Sequence, residues 1–179
     1  MKILDSTIQD YTGTNFSVYK REEGETIIKY NTSGDIIENN EMYSKVMLGK
    51  CETCNPFYKN SFEGFTYDTV LVVGLGLGLV PYELSEVNGC SKIDVLEIDQ
   101  EIIDYTISSG HLNSDINLIQ GDIYNYTTTE TYDLIIIDTI WYAHEMSNED
   151  CELLKSRLLP NINTGGALYF PIKEKFIIR

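Results

Sequence analysis

Residues 69–99 read TVLVVGLGLGLVPYELSEVNGCSKIDVLEID, and the reading of this stretch decides the fold. Val70 to Val73 form a short apolar run of the kind buried on both faces of a parallel sheet. Gly74, Gly76 and Gly78 interrupt it, as glycine does where a chain turns sharply out of a strand and a ligand presses against bare backbone. Leu79 to Val87 read as the following helix, with Leu79, Tyr82 and Val87 available to face the sheet. Pro81 is tolerated there only in the first turn, where no amide hydrogen bond is lost. Ile93 to Ile98 then form a second buried strand, with Glu97 and Asp99 at its carboxyl end, the edge at which open α/β sheets bind ligands.

A glycine turn followed about 20 residues later by an acid describes a nucleoside-binding βαβ unit, the acid accepting hydrogen bonds from ribose hydroxyls. The spacing is GxGxG. Leu79 stands where the dinucleotide fingerprint has its third glycine, which weighs against a nicotinamide dehydrogenase.

Beyond this unit the pattern keeps alternating. Gln100 to Ser109 read as a helix with Ile102, Ile103 and Ile107 on one face and Gly110 as its stop. Asn117 to Gln120 form a third strand ending in Gly121-Asp122. Ile123 to Thr129 are a short helical or irregular piece. Tyr132 to Asp138 (YDLIIID) give a fourth, strongly apolar strand. Asn148 to Leu159 read as a helix carrying Leu153, Leu154 and Leu158. Asn161 to Gly166 read as a loop and Ala167 to Ile172 as a fifth strand, and the final KEKFIIR extends it or begins another. Strands alternating with helices predict a doubly wound, mostly parallel Rossmann-like sheet. The chain leaves little room for a further hairpin, so one sheet edge is expected to be uncovered. Such an edge invites pairing and leaves homo-oligomerisation open.

Residues 1–66 differ in character from residues 67–179, which make up the expected Rossmann-like domain. Phe16–Lys20, Thr26–Tyr30 and Gly34–Ile37 are rich in β-branched and aromatic residues and are separated by turn chemistry, predicting a small antiparallel meander. Asn39 to Leu48 read as a short helix, followed by a connector through Pro56 and Gly64.

The chain has 179 residues, 42% hydrophobic and 23% charged, which suits one compact unit. No apolar run reaches the length of a membrane span, and MKILDSTIQD lacks the basic-then-apolar plan of a signal peptide, so a cytoplasmic protein is expected. Net charge is −15, from 13 basic and 28 acidic residues, which repels a phosphate backbone and disfavours nucleic acid as a partner. Cys51 and Cys54 form a CxxC pair, but no second pair exists and neither His111 nor His144 has ligand-like spacing to it. No metal is expected.

The first four core strands each end in a polar or glycine feature: the Gly74/Gly76/Gly78 turn, Glu97, Gly121-Asp122 and Asp138. In a parallel sheet these ends share one edge and point into one crevice. The glycine turn admits the sugar and amino-acid portion of a ligand, and Glu97 holds the two ribose hydroxyls. Asp122 can accept from an adenine amino group, Ile98 and Ile123 cover the base, and Asp138 stands nearest the reacting centre.

The arrangement resembles the class I S-adenosylmethionine-dependent methyltransferases. VLVVGLGLG looks like their glycine motif, VLEID like their second, QGDI like their third and YDLIIID like their fourth, over about Tyr67 to Phe170. This resemblance implies S-adenosylmethionine as cofactor and methyl transfer to a small molecule. A narrower likeness, carried by Ile36–Tyr43 (IIENNEMY) after a β meander, is to the spermidine synthase family, whose members move an aminopropyl group from decarboxylated S-adenosylmethionine to an amine. There a Tyr-His pair follows this stretch, an acid sits in the glycine turn and the fourth strand runs into Asp-x-x-Asp. Here those positions are Tyr43-Ser44, Leu77 and Asp138-Thr-Ile-Trp141, and the family's C-terminal segment is missing. Asp138-Thr-Ile-Trp141 also resembles the loop with which amino-group methyltransferases cradle an attacking nitrogen, without its prolines. These two likenesses make Tyr43, from the first, and Trp141 and Tyr142, from the second, candidate substrate residues. Two further readings remain beside methyl transfer: aminopropyl transfer with an altered amine site, and a non-catalytic cofactor-binding or oligomer-forming relative.

Overall fold

The computed structural model describes residues 10–20, 26–30, 36–37, 67–86, 90–110, 112–139, 146–170 and 175–178. Its core is a six-stranded sheet of β5 (Thr69–Val73), β6 (Lys92–Glu97), β7 (Ile116–Gln120), β8 (Tyr132–Ile137), β9 (Ile162–Phe170) and β10 (Lys175–Ile178), in the order β10-β9-β8-β5-β6-β7. Every pairing from β9 to β7 is parallel. β5 lies between β8 and β6, and its residues Val70 to Val73 are almost wholly buried.

Successive side chains of a strand point to opposite faces, so β5 supplies two cores at once. Val70 and Val72 join the cluster under α1 (Leu79–Glu86) and α2 (Gln100–Ser109). Leu71 and Val73 join the one under α3 (Asn148–Leu158). Helices on both faces of a parallel sheet make the fold doubly wound, as the alternating pattern predicts.

The helices sit where expected but are rotated. In α1, Val80 and Leu84, at i, i+4 spacing, are buried in the core and Tyr82 packs against it half-buried, while the side chain of Leu79 lies outside what is described. Val87 is outside the described residues. In α2, Ile102, Ile103, Tyr105 and Thr106 are buried while Ile107 is exposed, because at 3.6 residues per turn Ile107 lies roughly 140° round from Ile102. α3 buries Cys151, Leu154 and Leu158 and exposes Leu153. Gly110 does stop α2, in a left-handed conformation at φ 65°.

Two expectations at the C-terminal end need correction. β9 begins at Ile162, and the segment read as a loop is a bulge within it: the register with β8 jumps from Tyr132↔Ile162 to Leu134↔Ala167. Gly165 takes φ 84° inside the bulge, and the Asn163 amide donates to Asp133 at 2.8 Å. A hairpin does form at this end: Lys175–Ile178, within KEKFIIR, begin another strand, the antiparallel β10, which becomes the edge beyond β9.

The N-terminal meander forms as a four-stranded antiparallel sheet of β1 (Tyr11–Thr12), β2 (Phe16–Lys20), β3 (Thr26–Tyr30) and β4 (Ile36–Ile37). Phe16 and Val18 are buried in the same core as α2. Tyr11, Phe16 and Tyr105 form an aromatic trio with ring centroids 5.0–5.8 Å apart, within the range of favourable ring pairs. The helix expected over Asn39–Leu48, and Cys51 and Cys54, lie outside the described residues. No described helix is long and apolar enough to cross a membrane.

Candidate functional site

Three backbone hydrogen bonds stitch the carboxyl ends of β8, β5, β6 and β7 into one row. The Asp138 N–H donates to the Val73 carbonyl at 2.8 Å, Gly74 N–H to Leu96 at 2.8 Å and Gly121 N–H to Glu97 at 2.9 Å. The glycine turn, Glu97, Gly121-Asp122 and Asp138 therefore stand side by side, as their positions in the sequence imply. β5 lies where the chain reverses its direction of travel across the sheet, since β6 and β7 lie on one side of it and β8 and β9 on the other. A crevice forms at such a switch point.

Each glycine of the turn has positive φ: 98° at Gly74, 52° at Gly76 and 75° at Gly78. Only glycine enters that region without strain. Gly74 needs it twice over, because a Cβ there would collide with the Asp138 carbonyl oxygen. Around Gly76, no atom of the described residues comes within 4 Å of where a Cβ would lie. Leu75 and Leu77, between the glycines, turn inward and are both 4% exposed.

Glu97 is 7% exposed and is held by two backbone donors. Its Oε2 accepts the Leu75 N–H at 2.8 Å, inside the glycine turn, and its Oε1 accepts the Asp99 N–H at 3.0 Å. A carboxylate has about four lone-pair sites, so each oxygen keeps one for a ligand hydroxyl. Next to it Ile98 is 59% exposed, an apolar surface at the mouth of the crevice. Asp99 caps α2 by accepting the Glu101 N–H at 2.9 Å.

Asp122 folds the chain after β7 into a tight turn. Its Oδ1 accepts the Tyr124 N–H at 2.9 Å and its Oδ2 the Asn125 side-chain amide at 3.0 Å. Ile123 is buried in the α3-face cluster with Leu96. Asp138 is half-buried, and the adjoining Thr139 hydroxyl is buried without a hydrogen-bond partner among the described residues. Tyr43, Trp141 and Tyr142 lie outside the described residues.

The topology matches that of known folds. This is the Rossmann-like fold of the class I methyltransferases. The N-methyltransferase NodS from Bradyrhizobium japonicum superposes with a TM-score of 0.56 at 18% identity, over 75% of this chain and 70% of that one. Its complex with S-adenosyl-l-homocysteine gives the same score over 74% and 63%. The plantazolicin methyltransferase BpumL, also in complex with S-adenosyl-l-homocysteine, matches at 0.53 and 22% identity. That match covers 73% of this chain and 48% of BpumL, so the chain spans about half of that enzyme. The glycopeptide N-methyltransferase MtfA matches at 0.51 and 16% identity, over 62% and 52%. No protein-family model and no curated protein sequence matches the chain.

The sequence reading overlooked Asn15 and Glu101, which join the N-terminal sheet to α2 beside Glu97. No periodicity signals them, since they meet across the tertiary fold.

Proposed function

We propose that the protein binds S-adenosylmethionine and transfers its methyl group to a small molecule. The observation that carries this reading is Glu97, a buried carboxylate tied to the glycine turn and to the cap of α2, with one free lone pair on each oxygen. Two adjacent ribose hydroxyls match that pair of acceptors. The bare backbone at Gly76 gives the sugar and amino-acid portion room to approach. Exposed Ile98 offers an apolar face, which we assign with Ile123 to the adenine, and we assign Asp122 to the adenine amino group.

Bound there, S-adenosylmethionine would supply an activated methyl group on a sulfonium sulfur for in-line displacement. Such a displacement depends chiefly on alignment. The chain's part is to hold the ligand through Glu97 and the glycine turn and to keep the acceptor in line. Asp138, at the end of β8 against Gly74, is the group we assign to the acceptor side, where a carboxylate can orient a nucleophile and take the proton it releases. NodS, BpumL and MtfA being methyltransferases supports the same direction.

Aminopropyl transfer is the weaker reading. The turn position at which spermidine synthases carry an amine-binding acid is Leu77, packed in the core under α1. An ammonium group has no partner there.

Calorimetric titration with S-adenosylmethionine, S-adenosylhomocysteine and decarboxylated S-adenosylmethionine tests the proposal. Binding of the two carboxylated ligands in preference to the third is the expected result. Preference for the decarboxylated form would replace methyl by aminopropyl transfer, and flat titrations with all three would defeat both.

A further inference from the structure

A hydrogen-bonded route runs from the N-terminal sheet to Glu97. The turn between β1 and β2, Gly13-Thr14-Asn15, sits on the first turn of α2. Glu101 Oε1 accepts the Thr14 N–H at 2.6 Å and the Tyr11 hydroxyl at 2.9 Å, and Oε2 accepts the Asn15 N–H at 2.7 Å. The Asn15 side-chain nitrogen lies 3.2 and 3.1 Å from the two oxygens of Asp99. The Asp99 N–H in turn donates to Glu97 Oε1 at 3.0 Å. The joint has no slack: a Cβ on Gly13 would overlap the Glu101 carboxylate.

We infer that Asn15 is a positioning residue for the ribose, acting through Asp99 on Glu97, so that docking of the N-terminal sheet and cofactor binding strengthen one another. This rests on the ribose-binding role of Glu97 proposed above. The physical step is local. The Asp99 peptide is both the cap of α2 and a donor that fixes one Glu97 oxygen. Its side chain is held from the helix side by the Glu101 N–H and from the other side by the Asn15 amide. Removing the amide leaves the cap held from one side, and the peptide that aims Glu97 Oε1 gains freedom. Burial of Glu101 pushes its carboxyl up, but hydrogen bonds from Asn15, Tyr11 and Thr14 outweigh that and leave it lowered, so the docked turn faces an ionised partner at neutral pH. Because coupling between two binding events is reciprocal, a ligand that engages Glu97 also tightens the turn.

A merely structural anchor would weaken every ligand alike, which gives the test. The full chain and its Asn15→Ala variant are titrated with S-adenosylhomocysteine and with an analogue lacking both ribose hydroxyls. The variant should bind S-adenosylhomocysteine about 3- to 10-fold more weakly, the scale of an impaired charge-assisted hydrogen bond, and bind the analogue as the parent does. In the unsubstituted chain, S-adenosylhomocysteine should slow hydrogen exchange at the Thr14 and Asn15 amides at least about threefold, and the analogue should not. This second measurement needs no variant to fold. Equal losses for both ligands, no loss for either, or unmoved exchange would make Asn15 a structural anchor only. Failure of the ribose reading itself is distinct: the unsubstituted chain would then bind the two ligands equally or bind neither.

Discussion

Replacing Glu97 by Gln separates the two tasks its carboxylate performs. Both oxygens accept a backbone N–H, from Leu75 at 2.8 Å and from Asp99 at 3.0 Å, and the side chain is 7% exposed. Gln offers one acceptor oxygen, so whichever way the amide turns, its NH2 faces one of the two donors. A buried donor left unpaired costs about 1–3 kcal/mol. In a domain of this size each kcal/mol lowers Tm by roughly 2–4 °C, so the ligand-free variant should melt about 2–12 °C lower. One ribose hydroxyl also loses a charged partner worth about 1.5–3 kcal/mol, which is roughly a 10- to 150-fold loss of S-adenosylhomocysteine affinity. Scanning calorimetry on the ligand-free chain and titration at a temperature where both proteins are folded measure the two effects. An unchanged Tm would refute the two-donor tie. A lowered Tm with unchanged affinity would keep the tie and refute the ribose assignment.

Asp138→Asn should reduce turnover at least about 100-fold, in the range of a lost acid–base group, while S-adenosylhomocysteine affinity stays within about threefold; full activity would remove Asp138 from the mechanism. Gly74→Ala and Gly76→Ala should behave differently although both introduce a Cβ at positive φ. At Gly74 the Cβ meets the Asp138 carbonyl, so the variant should lose thermal stability severely, whereas Gly76→Ala adds only backbone strain of about 1–2 kcal/mol and should lose ligand affinity instead. Comparable melting of the two would contradict the packing at Gly74. Burial pushes the Asp133 carboxyl up, but hydrogen bonds from Asn163, Asp68 and Thr69 outweigh it and hold it at about 2 against an ordinary 3.8. The unfolded chain then binds more protons between those values, so the stability Asp133 contributes is present above about pH 4 and is lost as pH falls towards 2. Acid denaturation of Asp133→Asn should be correspondingly shallower over that window, and an identical profile would refute the assignment.

The βαβ unit and the row of strand ends were legible because each rests on a local signal. A run such as Val70–Val73 leaves few alternatives to a buried strand, and glycines mark the turn that follows. Asp99 and Gly110 bracket α2 through cap chemistry within a few residues of chain. Helix phase was less legible. Ile107 and Leu153 look like core residues in sequence, yet both face solvent, because Thr106 and Cys151 hold places on the inner faces that hydrophobicity alone assigns elsewhere. Asn163-Thr-Gly-Gly166 carries loop chemistry and lies in a strand, since the bulge is stabilised by Asp133 on the neighbouring β8, far away in sequence. β10 and the Asn15–Asp99 contact depend wholly on what the chain meets after folding.

The close approach at Gly74 bears on how binding and reaction are linked. Gly74 opens the turn that faces the ligand, and the backbone of Asp138, the residue assigned to the acceptor, presses directly on it. The Asp138 N–H is fixed to Val73 and the Gly74 N–H to Leu96, so the ends of β8, β5 and β6 cannot move independently without breaking backbone hydrogen bonds in a buried sheet. The distance between Glu97 on β6 and Asp138 at the end of β8 is therefore set by sheet pairing rather than by loops. Methyl transfer requires the donor carbon and the nucleophile to lie in line, where a displacement of about 1 Å can cost 100-fold in rate. A site measured out by three paired strands meets that demand with few catalytic side chains.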